Sequence, residues 1–239
     1  MRLSLLPLLL LVVVQVSAYE ENMEEFGEGF SVITCGSAVK LKHNAGNFRL
    51  HSHSINWGSG SGQQSVTGFQ GADDPNSLWV VKEQYGTPGC SQGTPIKCNS
   101  FIRLVHLQTR RYLHSHLHRS PLSGRQEISG YGEDPKQSDT GDNWKVECDG
   151  EFWQREKPVT FQHADTSQRL YSRTADQFNN QNCRNCPIVG QMEISCHSAG
   201  PKDINAHWIV DDGIFFKNSG RDDADVYSSL DEDAKDQEY

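Results

Sequence analysis

Two His-x-His pairs are the first residues of this chain whose type and spacing suit chemistry. They are His51 with His53 and His114 with His116. Residues i and i+2 of a β-strand lie on the same face, so each pair has the spacing to chelate a metal ion. Two imidazoles without a carboxylate or a thiol are an incomplete zinc set, and we predict no metal site. We expect their ring N–H groups to satisfy backbone carbonyls near loops, and contact with a ligand or partner is the alternative.

A second cluster consists of cysteines. Cys183 and Cys186 form a C-x-x-C pair, and Cys196 is followed directly by His197. This spacing occurs both in redox motifs and in zinc sites. Neighbouring strand residues such as Cys196 and His197 point to opposite faces, which argues against zinc. We predict one local disulfide and one unpaired thiol, with redox or intermolecular use as the alternative.

No catalytic signature accompanies these residues. The sequence contains no G-x-S-x-G, no H-E-x-x-H, no phosphate-binding loop and no dinucleotide fingerprint. The carboxylate pairs Asp73–Asp74 and Asp222–Asp223 fall in a turn and in a tail, where we expect solvated side chains. We therefore predict that the protein is not an enzyme and has neither catalytic residues nor a cofactor.

Three sequence repeats position these residues. Tryptophans 79, 144 and 208 recur at intervals of about 65 residues, each after the same order of apolar landmarks. Apolar residues alternate with polar ones and turn residues fill the gaps, which predicts four short strands per repeat. Twelve strands that close around a shared axis predict an all-β protein with the β-trefoil fold. The alternative of three separate small domains is disfavoured by short linkers at 83–94 and 148–152.

The repeats also predict the core. Matched apolar positions should meet around the axis and exclude water. The predicted core comprises Leu41, Leu104, Phe161, Leu50, Leu113, Leu170, Val66, Ile128, Ile194, Trp79, Trp144 and Trp208.

The ends of the chain differ from the repeats in composition. Arg2, an apolar stretch over 3–14 and the small residues 16–18 predict a secretory signal peptide. The predicted segments are a signal peptide at 1–18, an acidic segment at 19–30, repeats one to three at 31–88, 93–149 and 150–211, and a closing segment with an acidic disordered tail at 212–239.

Four of the seven cysteines bracket the first two repeats. Cys35 opens repeat one and Cys90 follows its last strand, while Cys98 and Cys148 occupy the same places in repeat two. The first and last strands of a closed unit lie near each other, and a secreted chain is oxidised. We therefore predict the disulfides Cys35–Cys90 and Cys98–Cys148.

The net charge of the chain limits the classes of partner that it is expected to bind. The formal net charge is −9, which gives no electrostatic reason to bind nucleic acid or an anionic membrane. No segment after the leader approaches eighteen apolar residues, so we expect no membrane span and a soluble mature chain in an oxidising compartment.

Arg49–His53 and Gly58–Gly68 closely resemble the first MIR repeat of the stromal cell-derived factor 2 family. The resemblance covers about residues 33 to 217 and is weaker in repeat three. Segments similar to the second repeat and to the closing segment are Gly93–Cys98, Leu113–His116, Ser120–Gly124, Gln126–Glu127 and Gly213–Phe215.

The resemblance implies a β-trefoil of three MIR repeats in the endoplasmic-reticulum lumen. It implies association with an Hsp40-type J-domain co-chaperone, with the luminal Hsp70 through it, and with unfolded client proteins. The alternative is a secreted, lectin-like module in which Trp57, Tyr131 and Phe178 stack on glycans. The cysteine cluster of repeat three is not part of the family pattern. The chain ends at 236–239 without a usual retrieval sequence, so we expect it in the lumen or outside the cell.

Overall fold

A computed structural model describes residues 29–219 of the chain. The predicted signal peptide at 1–18, most of the acidic segment at 19–30 and the predicted tail beyond residue 219 lie outside the described residues. Within 29–219, no helix is long and apolar enough to cross a membrane.

The described chain is all-β, as the alternating pattern predicts. The thirteen strands of residues 29–219 belong to one sheet, and three short 3-10 turns each precede the last strand of a repeat. The strands are β1 Ala38–His43, β2 Arg49–Asn56, β3 Gln64–Phe69, β4 Leu78–Glu83, β5 Phe101–His106, β6 Tyr112–Arg119, β7 Gln126–Tyr131, β8 Trp144–Glu147, β9 Thr160–His163, β10 Arg169–Tyr171, β11 Met192–Glu193, β12 Ser195–His197 and β13 Trp208–Ile214. The turns are Pro75–Ser77, Thr140–Asp142 and Ile204–Ala206.

The first and last strands of the repeats form a continuous, closed set of pairings. Within repeats, β1 pairs with β4 and β5 with β8, and a bridge joins Val159, the residue before β9, to Trp208 of β13. Between repeats, β4 pairs with β5, β8 with β9, and β13 with β1. The pairings therefore return to β1, and every repeat is hydrogen-bonded to both of the others.

The middle strands form a second closed set. The hairpins are β2–β3, β6–β7 and β10–β12. Their third strands meet as β3–β7, β7–β12 and β11–β3. In repeat three the third strand is interrupted at Ile194, because its first half pairs with β3 and its second half with β7 and β10. This interruption makes thirteen strands where the repeats predict twelve.

The core lies where the repeats meet. All twelve predicted core residues have 0% exposure, so that prediction is confirmed. The three matched tryptophans each donate their indole Nε1–H to the backbone carbonyl of the matched leucine of β2, β6 or β10, at 2.8–3.2 Å. The position therefore combines a large apolar ring with a satisfied polar group, as a buried indole requires.

The cysteines form three disulfides in the described chain. Cys35 is bonded to Cys90, Cys98 to Cys148, and Cys183 to Cys186. Cys196 is a free, buried thiol. The first two disulfides join the start of a repeat to a cysteine that follows its last strand, and the third lies in an insertion between β10 and β11.

Candidate functional site

His51 ties β2 to the turn that precedes β4. Its Nδ1 lies 2.6 Å from Oδ2 of Asp74, which caps the turn Pro75–Ser77. Burial raises the pKa of Asp74, but hydrogen bonds from Ser77 and His51 outweigh it, and the pKa lies below its ordinary value. The carboxylate therefore accepts a hydrogen bond from His51, whose Nε2 lies 3.0 Å from Nδ1 of His53. This partner is a carboxylate where the sequence suggested a backbone carbonyl.

His114 holds the matching place in repeat two. Its Nδ1 lies 2.9 Å from Oδ1 of the fully buried Asp142, in the turn before β8. Two residues along β6, Nε2 of His116 lies 3.1 Å from Oε1 of Glu127. In each His-x-His pair, a ring nitrogen is therefore hydrogen-bonded to a carboxylate of another element. The first histidine of each pair positions the loop before the last strand of its repeat.

Donor atoms that could hold a metal ion occur twice in the described chain. The first set joins His114, Asp139 and Asp142, whose ligand atoms lie within 4.8 Å of one another. Asp139 already accepts the backbone N–H of Gly141 at 2.9 Å, and Asp142 accepts the hydroxyl of Ser138 at 2.6 Å. The backbone N–H of Asp139 also donates to Oδ2 of Asp142 at 2.9 Å, so the two carboxylates form a capping box, which explains this arrangement. The second set has two of its three donors in the first disulfide.

A threefold set of buried histidines was not identified from the sequence. The set consists of His43, His106 and His163, each two residues after a matched core residue of the first strand of its repeat. This recurrence in the sequence could have identified them. Each Nε2 lies 2.9–3.0 Å from a backbone carbonyl in or beside one of the three 3-10 turns. Desolvation lowers the pKa of all three rings, and lowers that of His106 to about 4. These rings are therefore neutral at physiological pH and hold the turns in place.

Two buried carboxylates dock the hairpin loops onto neighbouring repeats, and the sequence did not single them out. Glu127 accepts hydrogen bonds from the hydroxyl and the backbone N–H of Ser61 in repeat one. Glu193 accepts the backbone N–H of Leu122 at 2.7 Å and that of Ser123 at 3.1 Å in repeat two. Both glutamates are at most 1% exposed. They occupy the same place in the third strands of repeats two and three, which fixes the hairpins relative to one another.

A polar pocket of about 390 Å³ lies where repeat one meets repeat two. This repeat 1–2 pocket surrounds the pairing of Gln64 with Gly130 between β3 and β7. The hydroxyl of Tyr131 accepts a hydrogen bond from Gln137 at 3.1 Å, and its ring packs on the His114 ring at 4.5 Å. The polar side chains lining it are Ser54, Asn56, Gln63, Gln64, Gln108, Thr109, Arg111, Tyr131 and Gln137. The pocket thus offers neutral hydrogen-bonding groups and the guanidinium of Arg111 beside an aromatic ring.

A pocket of about 320 Å³ occupies the equivalent place between repeats two and three. This repeat 2–3 pocket surrounds the pairing of Gln126 with Cys196, and His197 takes the place of Tyr131. Arg119 and Arg125 make it more basic. Burial raises the pKa of the Cys196 thiol to about 12, so it is a neutral group beneath the pocket. The two pockets share backbone geometry and differ in chemistry.

Trp57 and Phe178 pack together, away from both pockets. They are 6% and 1% exposed, with ring centroids 6.0 Å apart, and Trp57 donates its indole N–H to the carbonyl of Ile128 at 2.9 Å. Ile188, Leu122 and the cysteines of the third disulfide pack on them. The stacking role suggested for these two rings is therefore not available in this arrangement, and Tyr131 remains as the ring beside a polar pocket.

An apolar pocket of about 510 Å³ lies beside the linker between repeats one and two. Its wall includes Pro88, Pro95, Ile96, Ile102 and Phe101, and Phe101 is 37% exposed. The pocket adjoins Cys90, so the first disulfide fixes one of its sides.

The chain is similar to known proteins along most of its length. The MIR domain family matches residues 49–205. Stromal cell-derived factor 2 of Mus musculus is 46% identical over 189 residues, which cover 79% of this chain and 84% of that protein. The names of these matches state no enzymatic activity.

Two solved structures extend the comparison. The crystal structure of the SDF2-like protein from Arabidopsis thaliana has a TM-score of 0.71 and 43% identity, and covers 79% of this chain and 99% of that one. A structure of the S. cerevisiae protein O-mannosyltransferase Pmt1-Pmt2 complex bound to the sugar donor has a TM-score of 0.66 and 27% identity. It covers 83% of this chain and 29% of that one.

Proposed function

This chain belongs to the stromal cell-derived factor 2 family of MIR-domain proteins, and from that premise we propose that it is a non-catalytic binding module of the secretory pathway. In this proposal it works in the endoplasmic-reticulum lumen as a chaperone cofactor. Its partners are an Hsp40-type J-domain co-chaperone, the luminal Hsp70 and unfolded client proteins. The observation that carries the proposal is 46% identity to stromal cell-derived factor 2 along 79% of the chain.

We assign the β-trefoil fold to the three MIR repeats at 31–88, 93–149 and 150–211. Six first and last strands pair into a closed set, and three hairpins meet through their third strands, which supports this assignment. A closed set of strands leaves few edges for unwanted pairing. The surface is then free to carry different pockets at the junction of repeats one and two and at that of repeats two and three.

Two features of the structure favour a binding module in an oxidising compartment. Three disulfides among seven cysteines fit a secretory-pathway protein. The histidines that the sequence analysis selected hold loops in place. His51 is hydrogen-bonded to Asp74, and His114 is hydrogen-bonded to Asp142. Those groups serve the scaffold, which leaves pockets and loops for recognition.

The partner proposal is tested by mild crosslinking of the mature chain, from residue 19 onward, in a lysate of secretory organelles. We expect a J-domain protein and Hsp70 to be recovered, and aggregation of a reduced client protein to be suppressed. Phe101→Ala in the apolar pocket and Tyr131→Ala in the repeat 1–2 pocket are matched surface variants that locate the contact. Recovery of neither chaperone by the wild-type chain contradicts the proposal.

Glycan binding is the second candidate function, and the repeat 1–2 pocket is the observation that favours it. Planar amides, a guanidinium and a phenol ring are groups that sugar hydroxyls and pyranose faces can contact. A glycan array with the full chain tests the idea. We expect Tyr131→Ala to lose binding by at least tenfold, while His197→Ala at the equivalent position keeps it. An array without a binder excludes this function.

A further inference from the structure

The third disulfide lies in a surface insertion whose own contacts are local. Cys183 donates its backbone N–H to Asn179 at 2.8 Å, Cys186 donates to Cys183 at 3.3 Å, and Gly190 donates to Phe178 at 2.7 Å. The two residues between the cysteines are exposed. These hydrogen bonds remain inside the insertion, so the disulfide is the covalent tie that shapes it.

The other disulfides are held differently. Cys35 donates its backbone N–H to Thr94 at 2.8 Å, and Cys98 donates to Glu151 at 2.8 Å. These bonds connect each cysteine to a segment distant in sequence and next to its disulfide partner. A reduced pair would therefore stay close, and its disulfide would re-form readily. Cys183 and Cys186 are joined to each other by one backbone hydrogen bond of 3.3 Å, but both are half-buried at the surface, whereas Cys35 is buried, so a thiol reaches their sulfurs more easily.

The insertion covers an apolar cluster that is separate from the main core. Trp57 of repeat one, Leu122 of repeat two, and Phe178 with Ile188 of repeat three form it, and the two half-cystines pack against them. Trp57 is 6% exposed and Ile188 is 5% exposed under this cover. The burial of Trp57, which lies where residues of all three repeats meet, therefore depends on whether the disulfide is oxidised or reduced.

We propose that Cys183–Cys186 is a thiol–disulfide exchange site for a dithiol, and that its reduction uncovers Trp57. A thiolate of the dithiol attacks one sulfur, forms a mixed disulfide and releases the other cysteine as a thiolate. The second thiolate of the dithiol then attacks the dithiol sulfur that is bonded to the protein, and the remaining protein cysteine is released as a thiolate. The dithiol leaves as a disulfide, and its two protons and two electrons end on the Cys183 and Cys186 thiols. Cys196 takes no part because it is fully buried.

The first test is a redox titration of the full chain in mixtures of reduced and oxidised dithiothreitol. Free thiols are blocked with N-ethylmaleimide and mapped by peptide mass spectrometry. We expect Cys183–Cys186 to reach half reduction at a reduced-to-oxidised ratio at least tenfold lower than Cys35–Cys90 and Cys98–Cys148 require. Reduction of all three pairs at one ratio, or of Cys183–Cys186 last, overturns the proposal.

The second readout is the fluorescence of Trp57, taken as the difference between the wild-type chain and Trp57→Phe. At the ratio that reduces only Cys183–Cys186, we expect the emission to shift to longer wavelength with unchanged far-ultraviolet circular dichroism. The Cys183→Ser/Cys186→Ser double variant should show the shifted emission without reductant and no further response. Selective reduction with unchanged Trp57 emission contradicts the proposed cover.

Discussion

Buried histidines give this fold a pH dependence that follows from single residues. His106 has 0% exposure, places Nε2 2.9 Å from the carbonyl of Asn76 and Nδ1 2.8 Å from the hydroxyl of Thr109. The ring is thus a neutral bridge between a 3-10 turn and the β5–β6 turn. Its surroundings also include His51, His53 and Asp74, and desolvation is the largest cause of its lowered pKa.

Acid should therefore destabilise the protein above the range in which carboxylates protonate. In the unfolded chain His43, His106 and His163 bind protons near pH 6.5, whereas in the folded chain burial lowers their pKa values, so their contribution to stability is full above pH 6.5 and falls below it. With its pKa lowered to about 4, His106 alone accounts for about 3 kcal/mol between neutral pH and pH 4. Urea unfolding at pH 7, 6 and 5 measures the fall.

A variant separates this histidine from other titrating groups. His106→Gln keeps a donor and an acceptor but removes the titration, so the loss of stability between pH 7 and pH 5 should be smaller than in the wild type. His118→Gln, on an exposed residue of β6, is the matched control and should leave the wild-type pH dependence unchanged. Equal pH dependence in wild type and His106→Gln contradicts the prediction.

The sequence predicted which histidine pairs were notable but not their partners. Asp74 stands 23 residues from His51, and in the sequence its pair with Asp73 had the features of a solvated turn. Only the folding of the turn Pro75–Ser77 onto β2 brings the carboxylate to the ring. A histidine recurs at the position of His43 in each repeat, which the sequence shows. The role of His43, however, depends on a hydrogen bond with the carbonyl of Asn205, 162 residues away.

At the scale of elements, the alternating pattern determined the strands, and the tertiary neighbours determined their interruptions. Ile194 is apolar like the matched Val66 and Ile128, so the alternating pattern did not predict a break in the third strand of repeat three. The break arises because Glu193 pairs with β3 and Ser195 pairs with β7 and β10. Pairing between repeats is information that local alternation does not contain.

The disulfides should differ in what they contribute to stability. Cys98–Cys148 spans 50 residues and Cys183–Cys186 spans 3. In the chain-entropy model, closing the longer loop contributes about 4 kcal/mol and closing the shorter one about 2 kcal/mol. Double cysteine-to-serine variants of each pair, compared by urea unfolding, should reproduce that order. A larger loss from the Cys183/Cys186 variant contradicts it.

At the scale of the whole molecule, the candidate pockets arise from contacts between repeats. The repeat 1–2 pocket forms where Gln64 of β3 meets Gly130 of β7, and the repeat 2–3 pocket where Gln126 meets Cys196. The repeats predicted the core because matched residues recur in each of them. The pockets could not be predicted in the same way, since most of their lining residues, such as Tyr131 and His197, differ between repeats and meet only when the chain closes.

Closure also predicts that the three repeats unfold together. Repeat two is paired to repeat one through β4–β5 and to repeat three through β8–β9, and it contributes Leu104, Leu113 and Trp144 to the shared core. Alone, residues 93–149 would expose these side chains, at a cost of roughly 1.5–3 kcal/mol for each aliphatic one. The intact chain should show one calorimetric transition with equal van't Hoff and calorimetric enthalpies, and the isolated repeat should remain unfolded even with Cys98–Cys148 oxidised. Two resolved transitions, or a dispersed NMR spectrum from residues 93–149, would show that each repeat carries a core of its own.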